Sequence, residues 1–308
     1  MPTRFHGVIV PMVTPFREDL SLDLDAVRWL ARFLAKNGIH GLFPISTTGE
    51  FVHLNRDEMV AIVRTIVEEV GGKVWVIPGI TANATDQCIE LGKAFMDLGI
   101  DGVIAAPPYY FKLPPKLLKK HFASIAEKLG IPMIIYNVPS LTGVNVPIEL
   151  VVELAKEFSN VVGIKVTFDS FTYLRRLVKE VKSIRKDFAV LTGLDDMLLP
   201  TLELGGDGGI MGLANVAPWI HREVYDAWIE KDTRRAYEAY QKLLKLVEIY
   251  DLGRSFPSIV KAALHVCGTP IKPLVRPPLE PEPIETMERV KKILEELGVC
   301  EKIRSSNP

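Results

Sequence analysis

The chain has 308 residues, and its 37 Lys and Arg nearly balance 38 Asp and Glu, giving a net charge of −1. A chain of this length can bury a large core without a disulfide or a metal, and its composition excludes disordered, collagen-like and disulfide-scaffold proteins. Because the charges are interspersed along the chain, the sequence predicts neither a nucleic-acid partner nor an anionic membrane partner.

Eight short apolar runs alternate with longer segments in which apolar residues recur every three or four positions. The short runs predict strands at residues 8–13, 41–45, 74–78, 102–105, 133–136, 161–166, 189–192 and 208–211. The first helix is predicted to start near Asp23 and to stop at Gly38, and the pair Asn55 and Glu58 indicates a capping box on the second helix.

This alternation also predicts the fold. Parallel strands need crossover helices, and near-continuous hydrophobic runs are typical of strands buried on both faces. Eight such units predict an α/β fold of the (β/α)8 TIM barrel class, with an open doubly wound sheet as the alternative.

Strand signals cease after about residue 216. We therefore expect the barrel in residues 1–215, and the last barrel helix with a C-terminal helical extension packed on the barrel in residues 216–308. Helices are predicted at 233–250 and 284–297, and the Pro-rich segment 272–283 is expected to be a stiff connector.

The cysteines and the apolar runs bear on the compartment. The N-terminal segment lacks the long apolar stretch of a signal peptide, and no run of about eighteen apolar residues predicts a membrane span. Cys88, Cys267 and Cys300 are an odd number without C-x-x-C spacing. These features favour a reducing, cytoplasmic compartment.

In barrels of this kind the active site lies at the C-terminal ends of the strands, so reactive side chains there are candidates. Lys165 lies near the end of the sixth apolar run. Desolvation there disfavours the ammonium form, and a neutral lysine amine attacks ketones to form a Schiff base. The alternative is a lysine that snorkels to solvent or pairs with a carboxylate.

Two other strand ends carry polar residues. Tyr136 ends the fifth run, where a phenol can relay a proton or bind substrate, although buried tyrosines are also common in cores. Residues 46–50, Ser-Thr-Thr-Gly-Glu, end the second run. Hydroxyls and backbone N–H groups in such a segment suit a carboxylate, and an ordinary capped turn is the alternative.

Cofactor motifs do not occur in the sequence. It contains no G-x-x-x-x-G-K-[ST], no complete dinucleotide fingerprint and no H-E-x-x-H. We therefore expect no cofactor and no metal, with the chemistry carried by protein side chains.

Six short motifs follow one another along the chain. They are Pro-Met-Val-Thr-Pro-Phe at 11–16, Thr-Thr-Gly-Glu at 47–50, Pro-Tyr-Tyr at 108–110, Tyr-Asn-Val-Pro at 136–139, Gly-Ile-Lys at 163–165 and Gly-Gly-Asp-Gly-Gly-Ile at 205–210. From about Gly7 to Gly268, the chain resembles the dihydrodipicolinate synthase and N-acetylneuraminate lyase family of class I, pyruvate-dependent aldolases.

The resemblance implies specific roles. Lys165 would form the Schiff base with pyruvate, and Tyr136 would be the general acid and base. Thr47 and Thr48, with Gly49, would hold the pyruvate carboxylate through hydroxyls and backbone amides.

The resemblance also implies an assembly. In relatives, the tyrosine that corresponds to Tyr110 reaches across a subunit interface to join a catalytic proton relay with the residues that correspond to Thr47 and Tyr136. We therefore expect a homo-oligomer, at least a dimer and as a full assembly a tetramer that is a dimer of dimers. Ile210, in the last motif, falls among the substrate-binding positions.

The second substrate separates the branches of this family. Dihydrodipicolinate synthases carry an Arg shortly after Tyr-Asn-Val-Pro that holds the carboxylate of aspartate semialdehyde. Here the corresponding residue is Leu141, whose side chain cannot make the two parallel hydrogen bonds that an Arg donates to a carboxylate. N-acetylneuraminate lyases usually show Ser-Thr-Gly-Glu where this chain has Thr-Thr-Gly-Glu.

The 2-keto-3-deoxy sugar acid aldolases fit better, because this chain shares three further motifs with them. These are Gly-Leu-Phe at 41–43, Leu-Thr-Gly at 141–143 and a Gly-x-Asp-Asp turn at 193–196. Positions that bind substrate in them correspond to Thr167, Gly193, Asp195 and Asp196. Carboxylates and a hydroxyl suit an uncharged sugar aldehyde, and a helix N-cap is the alternative for the two aspartates.

The sequence therefore predicts a lyase that reversibly cleaves a 2-keto-3-deoxy sugar acid to pyruvate and an aldehyde. The alternatives are 4-hydroxy-tetrahydrodipicolinate synthase, N-acetylneuraminate lyase, and a keto-acid-binding regulator without enzymatic activity.

Overall fold

The computed structural model describes residues 4–306. The chain folds as a (β/α)8 barrel with additional C-terminal helices. Its strands are β1 (Gly7–Pro11), β2 (Gly41–Phe43), β3 (Trp75–Val76), β4 (Val103–Ala105), β5 (Met133–Asn137), β6 (Val161–Val166), β7 (Ala189–Thr192) and β8 (Gly208–Ile210).

Along the chain, the α-helices lie between these strands and after β8. They are α1 (Leu24–Lys36), α2 (Arg56–Val70), α3 (Thr85–Met96), α4 (Pro115–Leu129), α5 (Pro139–Thr142), α6 (Ile148–Glu157), α7 (Phe171–Ile184), α8 (Leu198–Glu203), α9 (Pro218–Ile229), α10 (Thr233–Val247), α11 (Phe256–Val266), α12 (Ile284–Glu296) and α13 (Val299–Ser305). Short 3-10 helices occupy Phe51–His53, Asp195–Met197, Gly212–Asn215 and Tyr250–Leu252.

Each of the eight predicted strands overlaps an observed one. Every residue of these strands is buried except Trp75, which is half-buried. The near-continuous apolar runs therefore reflect strands with no solvent-facing side, as parallel sheets require.

Two compact units make up the chain. The first contains the segment up to Gly7 and Ile77–Ile210, and in it β4 to β8 pair in parallel, each with the next strand along the chain. Within this unit the Lys182 ammonium contacts both carboxylate oxygens of Asp207, at 2.8 and 2.7 Å.

The second unit contains Val8–Val76 and the chain from Met211 onward. Here β2 pairs in parallel with both β1 and β3. The Asp23 side chain accepts a hydrogen bond from the Ala26 N–H at the start of α1, and Asn55 and Glu58 form the capping box of α2. Both predicted helix starts are confirmed.

The C-terminal helices match their predictions at α10 and α12. The Pro-rich segment between α11 and α12 has no helix or strand, but it does more than connect them. Its Glu282 carboxylate accepts hydrogen bonds from the Arg254 N–H at 2.9 Å and from the Ser258 hydroxyl at 2.5 Å. The domain division at residue 216 stays a prediction. Within residues 4–306, no helix is both long and apolar enough to cross a membrane.

The cysteines depart from the expected reduced state. Cys267, at the end of α11, forms a disulfide with Cys300 of α13, and Cys88 is free and buried. The two paired residues are 33 positions apart. Sequence spacing did not reveal this pairing, because connectivity depends on how the helices pack.

Candidate active site

Lys165 and Tyr136 lie side by side on neighbouring strands of the first unit. Their Cα atoms are register partners between β6 and β5, and the Lys165 Nζ lies 4.2 Å from the centroid of the Tyr136 ring. Both residues are only 5% exposed. This burial excludes the snorkelling alternative for Lys165 and places the predicted nucleophile next to the predicted acid and base.

Gly193 and Thr167 complete this cluster at the ends of β7 and β6. The Gly193 N–H donates to the Val166 carbonyl at 2.7 Å, and the Thr167 N–H donates to the Asn137 carbonyl at 2.9 Å. A Cβ atom on residue 193 would lie 2.7 Å from the Lys165 Cε and would also overlap the Thr167 hydroxyl. Glycine is therefore required for the backbone of β7 to approach the lysine.

The Thr167 hydroxyl is a candidate substrate contact. Its oxygen is buried and has no hydrogen-bond partner among residues 4–306. A buried hydroxyl that is left unsatisfied by the protein suits a hydroxyl of a bound ligand.

Asp195 and Asp196 begin the 3-10 helix that follows β7. The N-cap of this helix is Leu194, so the N-cap alternative for the two aspartates is not what the structure shows. Desolvation raises the pKa of the Asp196 carboxyl, and repulsion from Asp195 and, more weakly, from Asp169 adds to the effect. Burial and the acidic neighbours thus both favour the neutral form of Asp196.

Sequence reasoning assigned no role to Asn137, the residue after Tyr136. Its side chain is fully buried, donates to the Asn145 side-chain oxygen at 2.8 Å and accepts from the Val146 N–H at 3.0 Å. These bonds hold the segment that follows β5. A polar residue directly after the predicted apolar run 133–136 was the available signal. Leu141, in α5, is exposed.

The other predicted site residues of this unit, Tyr110 and Ile210, differ in how exposed they are. Tyr110 is 78% exposed, and its ring packs edge-on against that of Phe111, which is also exposed. The N–H groups of Tyr109 and Tyr110 both donate to the Asn83 side-chain oxygen at 3.1 Å, which fixes the backbone of this aromatic loop. Ile210 is buried in β8.

The predicted carboxylate-binding residues lie in the second unit, in the segment after β2. The Gly49 N–H donates to the Ser46 hydroxyl at 3.0 Å, and the Thr14 hydroxyl donates to the Gly49 carbonyl at 2.7 Å. Within the described chain, the backbone N–H groups of Thr47 and Thr48 donate to no protein acceptor. They are therefore available to an anion. We call residues 46–50 the hydroxyl loop.

Residues 4–297 match the model of the dihydrodipicolinate synthetase family. The chain belongs to this family. It is 59% identical over 299 residues to a DapA-like lyase of Thermofilum pendens, with 97% of this chain and 99% of the relative covered.

Two further relatives bear on the activity. The chain is 38% identical over 296 residues to an Escherichia coli protein named "Probable 2-dehydro-3-deoxy-D-pentonate aldolase", covering 96% of this chain and 98% of that protein. The crystal structure of the E. coli prophage protein YagE in complex with pyruvate superposes with a TM-score of 0.94 at 35% identity, covering 97% and 100% of the two chains.

The family and the fold are thus as the sequence predicted, and the chain is an aldolase or lyase of the dihydrodipicolinate synthetase family. The roles assigned to individual site residues stay predictions.

Proposed function

We propose that this enzyme reversibly cleaves a 2-keto-3-deoxy sugar acid to pyruvate and an aldehyde through a Schiff base on Lys165. The observation that carries the proposal is the buried Lys165 amine 4.2 Å from the centre of the Tyr136 ring. A relative solved with pyruvate and a relative named as a 2-dehydro-3-deoxy sugar acid aldolase support it.

The proposed cleavage uses the Lys165 amine as the nucleophile and the Tyr136 hydroxyl for proton transfer. The Lys165 amine attacks the C2 ketone, water leaves, and the resulting iminium withdraws electrons from the C3–C4 bond. Tyr136 protonates the hydroxyl that leaves as water, and its phenolate then takes the proton from the C4 hydroxyl as the C3–C4 bond breaks, which releases the aldehyde and leaves an enamine. Protonation of the enamine at C3 and hydrolysis of the iminium then release pyruvate and restore the lysine.

The hydroxyl loop supplies the site for the carboxylate of the keto acid. The Thr47 and Thr48 backbone N–H groups and hydroxyls are the donors, and a carboxylate accepts charge-assisted hydrogen bonds from such groups.

An uncharged aldehyde fits the other end of the substrate better than aspartate semialdehyde. Leu141 stands where the synthases carry the Arg that holds the second carboxylate, and the side chains of Asp195 and Asp196 after β7 can accept hydrogen bonds from hydroxyls but offer no positive charge to a carboxylate. The unsatisfied Thr167 hydroxyl can bind a hydroxyl of a polyol.

We further propose that the active form is a homotetramer arranged as a dimer of dimers. The exposed rings of Tyr110 and Phe111 support this proposal, because large aromatic side chains are enriched where subunits meet. A full-activity monomer in sedimentation at micromolar concentration would remove this role from Tyr110.

Borohydride trapping with pyruvate, followed by peptide mapping, tests the mechanism. We expect the adduct on Lys165 and none in Lys165→Met. Tyr136→Phe keeps the ring beside Lys165 but removes the hydroxyl, so it should still form the adduct while aldol turnover falls by about 10²–10³. An adduct on another lysine, or none at all, would contradict the proposal.

The substrate is tested by condensing pyruvate with a panel of aldehydes. We expect glyceraldehyde to react faster than aspartate semialdehyde. The reverse order would favour the synthase, faster condensation with N-acetylmannosamine would favour the N-acetylneuraminate lyase, and binding of keto acids without any aldol turnover would favour a regulator.

A further inference from the structure

A buried group of charges lies next to the hydroxyl loop in the second unit. The Glu50 carboxylate, fully buried, accepts a hydrogen bond from the Lys261 ammonium of α11 at 2.5 Å and from the Arg276 backbone N–H at 2.9 Å. The Lys261 ammonium also donates to the Leu274 carbonyl at 2.7 Å and lies 4.2 Å from the centre of the Phe16 ring. We call Glu50, Lys261 and Arg276 the triad; its first two members are buried.

The triad continues to the start of α2 through the Arg276 side chain. Its guanidinium donates to both Glu58 oxygens at 2.8 and 2.5 Å, to the His53 carbonyl at 2.9 Å and to the Leu20 carbonyl at 2.9 Å. The segment after α11 is thereby attached to the last residue of the hydroxyl loop and to the residues that follow it.

The backbone of the hydroxyl loop needs such an attachment. Ile45, just before the loop, and Glu50, its last residue, have φ of 56° and 57°, in the left-handed region. That conformation is unfavourable for side chains other than glycine, and most of all for a β-branched one, so it persists only where surrounding contacts impose it. The triad provides those contacts at the Glu50 end.

We propose that Lys261 is a positioning residue, which through Glu50 holds the Thr47 and Thr48 amides in the geometry that binds the keto-acid carboxylate. This inference rests on the proposed function, in which those amides bind pyruvate. Lys261 does not touch the reacting atoms in this mechanism. Removing it should therefore weaken pyruvate binding while leaving the attack by Lys165, once pyruvate is bound, nearly intact.

The test is Lys261→Met, assayed by borohydride trapping over a range of pyruvate concentrations. We expect the half-saturating pyruvate concentration to rise about tenfold or more, with the saturated trapping rate close to that of the unaltered chain. Lys182→Met is the matched control, because it removes the lysine of a different ion pair, the partly buried one with Asp207 in the first unit. It should leave both quantities unchanged.

A second variant tests the proposal even if Lys261→Met does not fold. That single change leaves the Glu50 carboxylate buried without its cation. Glu50→Gln combined with Lys261→Met replaces the pair with neutral side chains of similar size, which buried sites tolerate. We expect its half-saturating pyruvate concentration to rise about threefold or more. A value equal to that of the unaltered chain would overturn the proposal.

The dependence of pyruvate binding on pH distinguishes this role from a merely structural one. Burial lowers the pKa of Lys261 to about 8 against the attraction of Glu50. Arg276 also faces Lys261, His53 faces Glu50, and Glu58 faces Arg276. Above that pH the triad loses a charge, so pyruvate binding should weaken in the unaltered chain and not in the double variant. An equal loss in both would count against the triad.

Hydrogen exchange separates this inference from the proposed function. We expect amide protection in residues 46–51 to fall in Lys261→Met and to stay unchanged in Lys182→Met. If the unaltered chain forms no pyruvate adduct, the proposed function fails, and the exchange result alone decides whether Lys261 holds the loop. Unchanged protection, or a rise of the pyruvate requirement in Lys182→Met, would overturn the proposal.

Discussion

At Gly193 the absence of a side chain determines how close β7 comes to the candidate nucleophile. A methyl group there would lie 2.7 Å from the Lys165 Cε. We expect Gly193→Ala to reduce the rate of Schiff-base trapping by about 10²-fold, because the lysine must move from its attack position.

Gly99→Ala is the control for this change. Gly99 has a positive φ of 84° and open space around its Cα, so alanine there costs backbone strain but crowds nothing. Its trapping rate should match that of the unaltered chain. A normal rate in Gly193→Ala, measured at saturating pyruvate, would show that β7 has room for a side chain.

Asp196 is a residue at which function and stability are opposed. Its raised pKa means that the folded state disfavours the carboxylate, so stability from this group is present at low pH and is lost as pH rises through the folded-state pKa. Asp196→Asn should therefore raise the melting temperature at pH 7, and this gain should shrink as the pH falls toward 4.

The same Asp196→Asn variant should turn over a sugar acid more slowly, because the proposed polyol contact is altered. Thermal unfolding and kcat/KM measured on one preparation check both parts. A variant that is less stable at pH 7 would mean that Asp196 is held by favourable contacts in the folded state.

At the scale of elements, the Glu58 carboxylate joins the start of α2 to the segment between α11 and α12. Its pKa is lowered chiefly by the hydrogen bonds from Arg276, so its contribution to stability is present at neutral pH and is lost as pH falls below its usual range. Glu58→Gln should lower the free energy of unfolding by about 1–3 kcal/mol at pH 7, with a smaller loss below pH 4.5.

The matched control lies in the same helix. Glu69 of α2 pairs with Arg32, whose side chain is about half exposed, so Glu69→Gln should cost less than about 1 kcal/mol. Urea unfolding from pH 7 to pH 4 measures both variants. Equal losses in the two would mean that the contact with Arg276 adds nothing beyond an ordinary surface pair.

The elements were predictable from sequence wherever one local signal decided them. The strands read as apolar runs because both of their faces are buried, and α2 was marked by the spacing of Asn55 and Glu58. The segment of the hydroxyl loop was also singled out, but not the left-handed conformation of Glu50 and of Ile45 just before the loop, because no local pattern indicates positive φ at such side chains.

At the scale of the whole molecule, the disulfide between Cys267 and Cys300 closes a loop of the C-terminal helices. For a sequence separation of 33 residues, the loss of unfolded-chain entropy corresponds to about 3–4 kcal/mol. A reductant should therefore lower the melting temperature of the unaltered chain. Cys267→Ser with Cys300→Ser should melt at the lowered temperature and should not respond to reductant, and a reductant-insensitive parent chain would contradict this account.

The part of the site that sequence reasoning missed depends on residues far apart in the chain. Lys165 and Tyr136 were predicted because each lies near the end of an apolar run, and their adjacency follows from parallel register. The Glu50 and Lys261 pair could not be found this way, since 211 residues separate them and a lone lysine in an amphipathic helix resembles any surface lysine.

That separation has a consequence for synthesis of the protein. Glu50 is synthesised 211 residues before Lys261 and 226 residues before Arg276. Both of these later residues follow all eight strands in the chain. A prematurely terminated chain can contain every strand and Lys165 itself, yet its hydroxyl loop has neither of these two partners. On the role proposed here for Lys261, such a truncated chain should bind pyruvate more weakly than the full-length enzyme.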